Sequence, residues 1–407
     1  MMDVVVIGGG AAGMMTAGLA AGCGKSVLLI EKNPLLGKKL RITGKGRCNL
    51  TNLCDQQTFL MHVSKNSRFL YSALSQFSPQ DAMSFFEKLG VDLKVERGNR
   101  VFPDSDSAMD VVRALEFFCK SHAVKFLQGI VKEVWKEDNQ FYIDLGRQEL
   151  VAAKCVVLAT GGCSYPSTGS TGDGYRFAAS LGHKIISPKP SLVPLLIRES
   201  VCKRMQGLSL RNVVVTVFHQ TTDKVIYSNM GEMLFTHFGV SGPLILAASA
   251  YLSGKEEDRY YLEIDLKPAL SAEQLDERFL REIREKPNRD FINLLKSLLP
   301  AKMITVFAEL SDVPYHQKVN QITKEQRRHI CFLLKHFRLH ITGMRPVEEA
   351  IITNGGVDIA EISPKTMESK ITKGLFVVGE LLDVNALTGG YNLQIAWSTA
   401  FAAGQNI

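Results

Sequence analysis

A glycine-rich turn between a short apolar strand and a helix of small residues constrains this chain more than any other feature. The apolar run Val4–Ile7 leads directly into the turn Gly8–Gly13. In such a unit Gly8 permits the tight turn, Gly10 lets a pyrophosphate approach the backbone, and Gly13 lets the helix pack against its strand. The amides at the helix start then face the phosphates. The pattern predicts a Rossmann-type dinucleotide site.

An acidic residue stands where such a site needs one. A second apolar strand, Ser26–Ile30, ends at Glu31, about twenty residues beyond the glycines, as expected for an acid that accepts hydrogen bonds from a ribose diol. A carboxylate at this place would repel a 2′-phosphate. The sequence therefore favours FAD or NAD over NADP as the bound dinucleotide.

The far end of the chain supplies a second set of glycines. Gly379 and Glu380 follow the apolar strand Leu375–Val378, and Gly390–Leu393 opens a final helix. The amides at that helix start can hold the carbonyl oxygens of a flavin. The two ends of the chain are thus expected to form halves of one FAD site.

The composition of the chain limits the classes of protein to which it can belong. Of the 407 residues, 45% are hydrophobic and 22% are charged, enough for two or three domains with real cores. No apolar run approaches the roughly 20 residues of a membrane span, and no signal peptide is expected, so we expect a cytoplasmic protein without a membrane partner. Eight cysteines without a Cys-x-x-Cys pair predict neither structural disulfides nor a metal site.

The net charge of +7 makes a polyanion such as RNA a permissible partner. A solvated basic surface accounts for the same charge. No interleaving of aromatic and basic residues typical of a stacking platform is visible in the linear sequence.

The periodicity changes near residue 190 and changes back near residue 345. Alternating strands and helices predict an α/β Rossmann-like FAD-binding domain, split in sequence into 1–190 and 345–407. The inserted domain, 191–344, is predicted to contain a β-barrel (about 191–270 and 338–344) and a helical part (about 271–337). The expected helices are 67–75, 79–89, 108–122 and 243–252, with amphipathic helices over 271–307 and 324–337. A hairpin is expected over 124–145, and strands over 151–160 and 213–218.

Several blocks resemble those of the BaiN-like flavoproteins, also called YhiN or RdsA type, in the two-dinucleotide-binding-domain superfamily. The blocks run in order through 37–40, 44–52, 100–103, 159–162, 164–166, 168–175, 231–237, 241–243, 366–370, and the closing segments 379–380 and 389–394. The resemblance implies noncovalent FAD, a split flavin domain and an inserted barrel-plus-helices domain. Lys45 departs from it, because the family more often has a third glycine in that loop.

Other cofactor contacts are expected from backbone loops. Gly44, Gly46 and Arg47 can wrap amides and a guanidinium around the diphosphate or the pyrimidine edge of the flavin, where Arg47 would stabilise reduced flavin; a surface arginine that caps a helix is the alternative. The full set of predicted cofactor-binding residues is Gly8, Gly10, Ala11, Ala12, Gly13, Glu31, Lys32, Lys39, Gly44, Gly46, Arg47, Cys48, Asn49, Val131, Thr160, Gly161, Gly379, Glu380, Gly390, Asn392 and Leu393.

Reduction of a polarised carbon–carbon double bond needs a hydride from the flavin and a proton from an acid on the opposite face. Cys48, Tyr165 and His237 are the candidate catalytic acids, with Tyr391 as a further one. Two of them have a structural alternative: a packed thiol for Cys48, and a satisfied structural histidine for His237.

The segment Gly172–Gly174 looks like a second dinucleotide fingerprint, but no strand and acid follow at the needed spacing. NADH or NADPH is therefore expected as a transient donor at the same flavin face as the substrate. The sequence predicts an FAD-dependent reductase of activated double bonds in a small unsaturated substrate. A reductase of a uridine in ribosomal RNA, and a flavin-binding sensor without turnover, are the alternatives; the resemblance covers both substrates.

Overall fold

The computed structural model describes residues 1–146, 149–255 and 259–407, and the chain divides into two units. The first unit comprises 1–191 and 347–407, and the second comprises 192–346. The strands are β1 (Met2–Ile7), β2 (Val27–Glu31), β3 (Thr51–Asn52), β4 (Val63–Lys65), β5 (Leu93–Glu96), β6 (Arg100–Pro103), β7 (Lys125–Gln128), β8 (Glu133–Glu137), β9 (Gln140–Asp144), β10 (Leu150–Leu158), β11 (Ile185–Ser191), β12 (Leu195–Ile197), β13 (Ser209–His219), β14 (Val225–Phe235), β15 (Gly239–Ser241), β16 (Tyr260–Asp265), β17 (Phe337–Met344), β18 (Ile352–Val357), β19 (Leu375–Val377) and β20 (Asn385–Ala386). The helices are α1 (Ala11–Gly22), α2 (Gln56–Met61), α3 (Tyr71–Gln76), α4 (Pro79–Lys88), α5 (Ala108–Ser121), α6 (Asp173–Ser180), α7 (Val201–Arg204), α8 (Pro243–Leu252), α9 (Ala272–Glu285), α10 (Phe291–Leu295), α11 (Ala301–Leu310), α12 (Lys324–Lys335) and α13 (Tyr391–Asn406).

The first unit is built on a seven-stranded sheet in the order β7-β2-β1-β10-β9-β8, with β19 also paired to β10. Strands β7, β2, β1, β10 and β19 run parallel, and β9 pairs antiparallel with both β10 and β8. The long strand β10 pairs with β9 near its start and with β19 near its end. Neighbouring parallel strands are usually joined through a helix. Helix α1 joins β1 to β2 in this way, so it begins at the carboxyl end of β1.

Small residues let the helices of this unit approach closely. Helix α1 packs against both α5 and α13, and it buries most of its length because its Ala and Gly residues leave no bulky face. The last helix, α13, is almost wholly buried around Trp397. The two ends of the chain therefore share one core.

The second unit contains a closed barrel of six antiparallel strands in the order β12-β15-β14-β13-β16-β17. Alternate residues of β13, such as Val213, Val215 and Val217, point into its core. Helices α9 to α12 bury apolar faces that belong to the same hydrophobic cluster as the barrel. The predicted fold class, a Rossmann-like α/β domain with an inserted β-barrel and helices, is confirmed.

Some predicted elements differ in detail. The stretch 124–145 is not one hairpin, because β7 pairs in parallel with β2 and only β8 and β9 form the hairpin. The helical stretch 271–307 is split into α9, α10 and α11, with Pro287 and Pro300 between them, since proline removes a backbone donor and interrupts a helix. In the described ranges, none of the helices has the length and apolar character that crossing a bilayer requires.

The chain has only two tryptophans, and they form a matched pair for a stability test. Trp397 is fully buried, donates from Nε1 to the carbonyl of Leu50 at 3.0 Å and packs edge-on against Phe86. We expect Trp397→Phe to lower the free energy of unfolding by about 1–3 kcal/mol, because it leaves a buried carbonyl without its donor. Trp135 is 36% exposed, so Trp135→Phe should change that free energy by less than about 0.5 kcal/mol. Urea unfolding followed by circular dichroism measures both, and equal effects would contradict the assignment.

Candidate functional site

The turn after β1 is shaped by close backbone approaches. Gly8 has φ +109°, and a Cβ there would lie 2.5 Å from the carbonyl oxygen of Ala159. A Cβ on Gly13 would lie 1.9 Å from the carbonyl oxygen of Gly8, whereas one on Gly10 would meet nothing within 4 Å. Gly8 and Gly13 are thus required by packing, while Gly10 borders open space.

The start of α1 borders the same space. Its N-cap residue, Gly10, makes no side-chain capping bond, so amides of the first turn remain available to an anion. At the end of β2, Glu31 accepts hydrogen bonds from the amide of Gly9 at 2.7 Å and from the amide of Asn33 at 2.8 Å. These bonds fix the carboxylate beside the glycine turn.

A cavity of about 230 Å³ lies at the carboxyl ends of β1, β2 and β10. It brings together residues from three parts of the sequence that were predicted to bind the cofactor. Those among the predicted residues that line it are Gly8, Gly10, Ala11, Ala12, Glu31, Lys32, Lys39, Val131, Thr160, Gly161, Gly379, Glu380, Asn392 and Leu393.

A charged network stands in the wall of this cavity. Lys39 Nζ donates to Glu380 Oε2 and to Ser164 Oγ, both at 2.6 Å, and Ser164 Oγ donates to Glu380 Oε1 at 2.9 Å. The amide of Thr353 also donates to Glu380 Oε1, at 3.0 Å. The lysine and the carboxylate are both mostly buried. The wall therefore carries a matched ion pair whose lysine and carboxylate both border the cavity.

The loop containing Arg47 lies beside the cavity and contributes Thr43 to its lining. Arg47 itself pairs with Glu96 and, at 2.7 Å, with Asp106, and its guanidinium lies 4.2 Å from the centre of the Phe102 ring. These carboxylates raise the pKa of Arg47. Gly44, Gly46 and Arg47 do not line the cavity, and their contact with the flavin stays a prediction.

Other predicted residues hold this loop to the rest of the unit. Asn49, with its amide oriented to satisfy both of its groups, accepts from the amide of Gly390 at 3.0 Å and donates to the carbonyl of Thr51 at 3.2 Å. Cys48 is fully buried with φ +61°, and burial raises the pKa of its thiol to about 12. Asn49, Gly390 and Cys48 are outside the cavity lining.

The candidate proton donors are spread over the molecule. Tyr165 is half-buried, has φ +52° and follows Ser164 of the charged network directly. Tyr391 stacks on His62 with ring centres 4.6 Å apart, and burial raises the pKa of Tyr391 to about 12. His237 belongs to the second unit, where it is exposed. None of the four candidates, Cys48 included, lines the cavity, and their catalytic roles stay predictions.

Part of the cavity wall was not predicted from the sequence. Asp173 lies in the segment that was set aside as a false second fingerprint, yet it lines the cavity and accepts from Lys32 Nζ at 2.7 Å. Lys38 Nζ donates to the carbonyl of Ser167 at 2.6 Å, which joins the chain just before this segment to the loop after β2. The block 168–175 is among those that resemble the BaiN-like family, and that signal could have identified the wall. Further lining residues that were missed are Thr43, Ile130, Ser170, Phe177, Ile351, Ile352 and Val384.

Comparison with known proteins gives one family. Residues 2–406 match the family described as HI0933-like protein Rossmann domain. The chain is 32% identical to the ribosomal RNA dihydrouridine synthase of Escherichia coli (strain K12), over 100% of this chain and 98% of that protein. It is 31% identical to the 3-dehydro-bile acid delta(4,6)-reductase of Clostridium scindens, again over 100% of this chain and 98% of that protein. The family predicted from the sequence blocks is confirmed.

Among solved structures, the fold resembles that of the 3-ketosteroid-delta4-(5alpha)-dehydrogenase from Rhodococcus jostii RHA1. The TM-score is 0.51 at 14% identity, over 99% of this chain and 96% of that one. This likeness concerns the fold alone.

Two glycines of the turn after β1 should respond differently to the same added methyl group. We expect Gly13→Ala to lower the free energy of unfolding by at least about 3 kcal/mol, because its Cβ has no room beside the Gly8 carbonyl. Gly10→Ala should leave stability nearly unchanged but weaken binding of FAD, since its methyl group would occupy the space at the helix start. Urea unfolding and FAD titration of the apoprotein separate the two effects. Full FAD affinity in Gly10→Ala would contradict the placement of the pyrophosphate.

Proposed function

This chain belongs to the HI0933-like family of flavoprotein oxidoreductases, and we propose that it binds FAD noncovalently in the cavity of the first unit to reduce an activated carbon–carbon double bond. One observation supports this most. A single cavity at the carboxyl edge of the sheet is lined by the glycine turn after β1, by Thr160–Gly161 after β10, and by Gly379–Glu380 after β19. In open α/β sheets ligands bind at this edge.

The residues present fit FAD in charge and in shape. The start of α1 has no side-chain cap, and Gly10 leaves its approach open, as a diphosphate requires. Glu31 is fixed as an acceptor for a ribose diol, and Val131 lines the cavity where its backbone would hold the adenine. Asn392 and Leu393, at the start of α13, would lie near the flavin carbonyl oxygens.

Bound FAD would supply the hydride acceptor and donor chemistry, and the chain must supply position, charge and a proton. Lys39 presents its ammonium group at the cavity wall, where Glu380 and Ser164 accept hydrogen bonds from it. Glu380 in turn is oriented by the amide of Thr353. This network presents fixed charges without the cost of reorganising water during the reaction.

The proton donor is proposed to be among Tyr165, Cys48 and His237. Tyr165 is the candidate whose neighbour in sequence, Ser164, contacts the charged network. With a pKa of about 12, the Cys48 thiol carries its proton at neutral pH, but it is a weak acid and is closed off by burial. NADH or NADPH is proposed as the reductant and would visit the same flavin face as the substrate.

The substrate is proposed to be a small unsaturated molecule. The second candidate is a uridine in ribosomal RNA, and the charge of the inserted unit favours it. Residues 192–346 contain 22 Lys and Arg against 17 Asp and Glu, so most of the net positive charge of the chain resides there. The named relatives act on both substrate classes at nearly equal identity.

Two experiments test this function. Anaerobic mixing of the purified flavoprotein with NADH or NADPH should bleach the flavin absorbance, and failure with both donors would favour a sensor without turnover. Deletion of the gene, followed by mass spectrometry of ribosomal RNA, tests the substrate. Loss of a uridine carrying two extra hydrogens, restored by the intact gene, would assign RNA, whereas unchanged RNA would leave the small unsaturated substrate.

The Lys39–Glu380 pair yields a prediction for cofactor binding. Lys39→Met leaves the Glu380 carboxylate without its cation, and we expect the Kd for FAD to rise roughly tenfold or more, the effect of losing one charge-assisted bond. The flavin reduction potential should also fall, because a negative charge would then face the reduced ring. Fluorescence titration and dye equilibration measure the two quantities.

Two companion variants sharpen this prediction. In the double variant Lys39→Met/Glu380→Gln no uncompensated carboxylate remains, so its potential should lie closer to that of the parent than the potential of Lys39→Met does. Lys88→Met removes an exposed lysine of α4, outside the cavity lining, and should behave as the parent protein. Identical results for Lys39→Met and Lys88→Met would refute a role for the pair at the cofactor.

A further inference from the structure

Helix α12 of the second unit presents an aromatic and basic strip to solvent. Phe332 is 55% exposed, and its ring stacks on that of His336 with centres 4.7 Å apart and planes 27° apart. Arg328, which is also exposed, lies one helical turn before Phe332. Positions i and i+4 lie along one face of a helix, and His336 follows as the C-cap residue of α12. We name Arg328, Phe332 and His336 the α12 strip.

Packing of the helix does not account for this strip. Helix α12 buries Ile330, Cys331 and Leu334 on its other side, where they belong to the core of the unit. Exposed aromatic residues occur singly on many proteins, but here a second ring is already stacked on the exposed one. The interleaving of aromatic and basic residues that the linear sequence did not reveal appears once the helical period is applied.

The charges around the strip favour an anionic partner. Helix α12 contains Lys324, Arg327, Arg328 and Lys335 and a single acid, Glu325. Arg327 is paired with Asp276, and Lys335 is paired with Asp265. Lys324 and Arg328 make no ion pair within the described ranges, although their charges add to the hydrogen bonds from the Glu325 backbone and from Thr323 that lower the pKa of Glu325.

At the other end of the strip, His336 Nδ1 lies 2.9 Å from Glu263, which Arg338 also contacts at 2.7 Å. Glu263 is thus shared by two basic side chains. Glu263 fixes the orientation of the His336 ring, and Arg338 offsets the negative charge of Glu263. The stacked pair is held in place on a surface that keeps an excess of positive charge.

We propose that the α12 strip binds single-stranded RNA, with a base stacked on Phe332 and His336 and a phosphate at Arg328. Every base has a flat face that stacks on an aromatic ring, and cations beside the ring take the adjacent phosphates. This inference rests on the second candidate function, the reduction of a uridine in RNA. It assigns the contact with the nucleic acid to a surface of the second unit, separate from the flavin cavity of the first.

The test uses the FAD-loaded full chain and a fluorescein-labelled 20-nucleotide oligouridine, with binding followed by anisotropy. Phe332→Ala should raise the Kd by about 5- to 100-fold, the range for loss of one base-stacking contact, while Phe332→Trp should keep the affinity. The matched control is Phe117→Ala on α5 of the first unit, where Phe117 is 64% exposed; it should bind as the parent does. Arg328→Ala should reduce the slope of log K against log salt by about 1.

Three results would overturn the proposal: no binding of oligouridine by the parent protein, equal Kd values for Phe332→Ala and Phe117→Ala, or equal affinity for a duplex of the same length. Flavin absorbance and reduction by NADH or NADPH are read on the same samples. Phe332→Ala should leave both unchanged. If the strip binds RNA but neither NADH nor NADPH reduces the flavin, the inference about the strip is upheld and only the proposed function fails.

Discussion

The first unit depends on hydrogen bonds that join the segment 389–397, around the start of α13, to the segment 50–52. Trp397 donates to the carbonyl of Leu50, Gln394 accepts from Thr51 Oγ1, and Asn52 donates to the carbonyl of Gly389. Gly390 is needed here because a Cβ on it would lie 2.3 Å from the carbonyl oxygen of Thr51. Residues more than 330 positions apart are thereby held at backbone contact. This contact fixes the start of α13, where Asn392 and Leu393 line the cavity.

The sequence predicted the parts of the cavity that depend on backbone, and it did so for a physical reason. Glycines such as Gly8 and Gly13 are required by distances that no other residue satisfies, and such requirements leave a visible motif. The fold class followed from the same signal, together with the change of periodicity near residues 190 and 345. The parts that depend on pairing between distant side chains left no local pattern. Ser164 and Thr353 could not be joined to Glu380 before the fold brought them together.

Arg47 shows that the position of a residue in a motif does not fix which side chains it pairs with. Its position in a glycine-containing block predicted a contact with the flavin, but the structure surrounds its guanidinium with Glu96, Asp106 and the ring of Phe102. Two carboxylates compensate its charge locally, whereas Lys39 pairs with the single carboxylate of Glu380 and lines the cavity itself. A motif specifies where the backbone passes. It does not specify which of several nearby cations remains available, because that depends on acids contributed by other strands.

The second unit is connected to the first through two paired strands, β11 and β18, and β18 also contributes to the cavity lining. Strands β11 and β18, which lead out of and back into the first unit, pair antiparallel with each other. An excursion that leaves and returns through adjacent paired strands interrupts no strand of the main sheet, so the first unit can keep its core whatever the insert contains. Strand β18 also carries Thr353, whose amide donates to Glu380 and whose hydroxyl accepts from the amide of Cys163 at 2.8 Å. Thr353 therefore joins β18 both to the carboxylate that holds Lys39 and to the backbone that precedes Ser164, so three segments distant in sequence fix the position of that carboxylate.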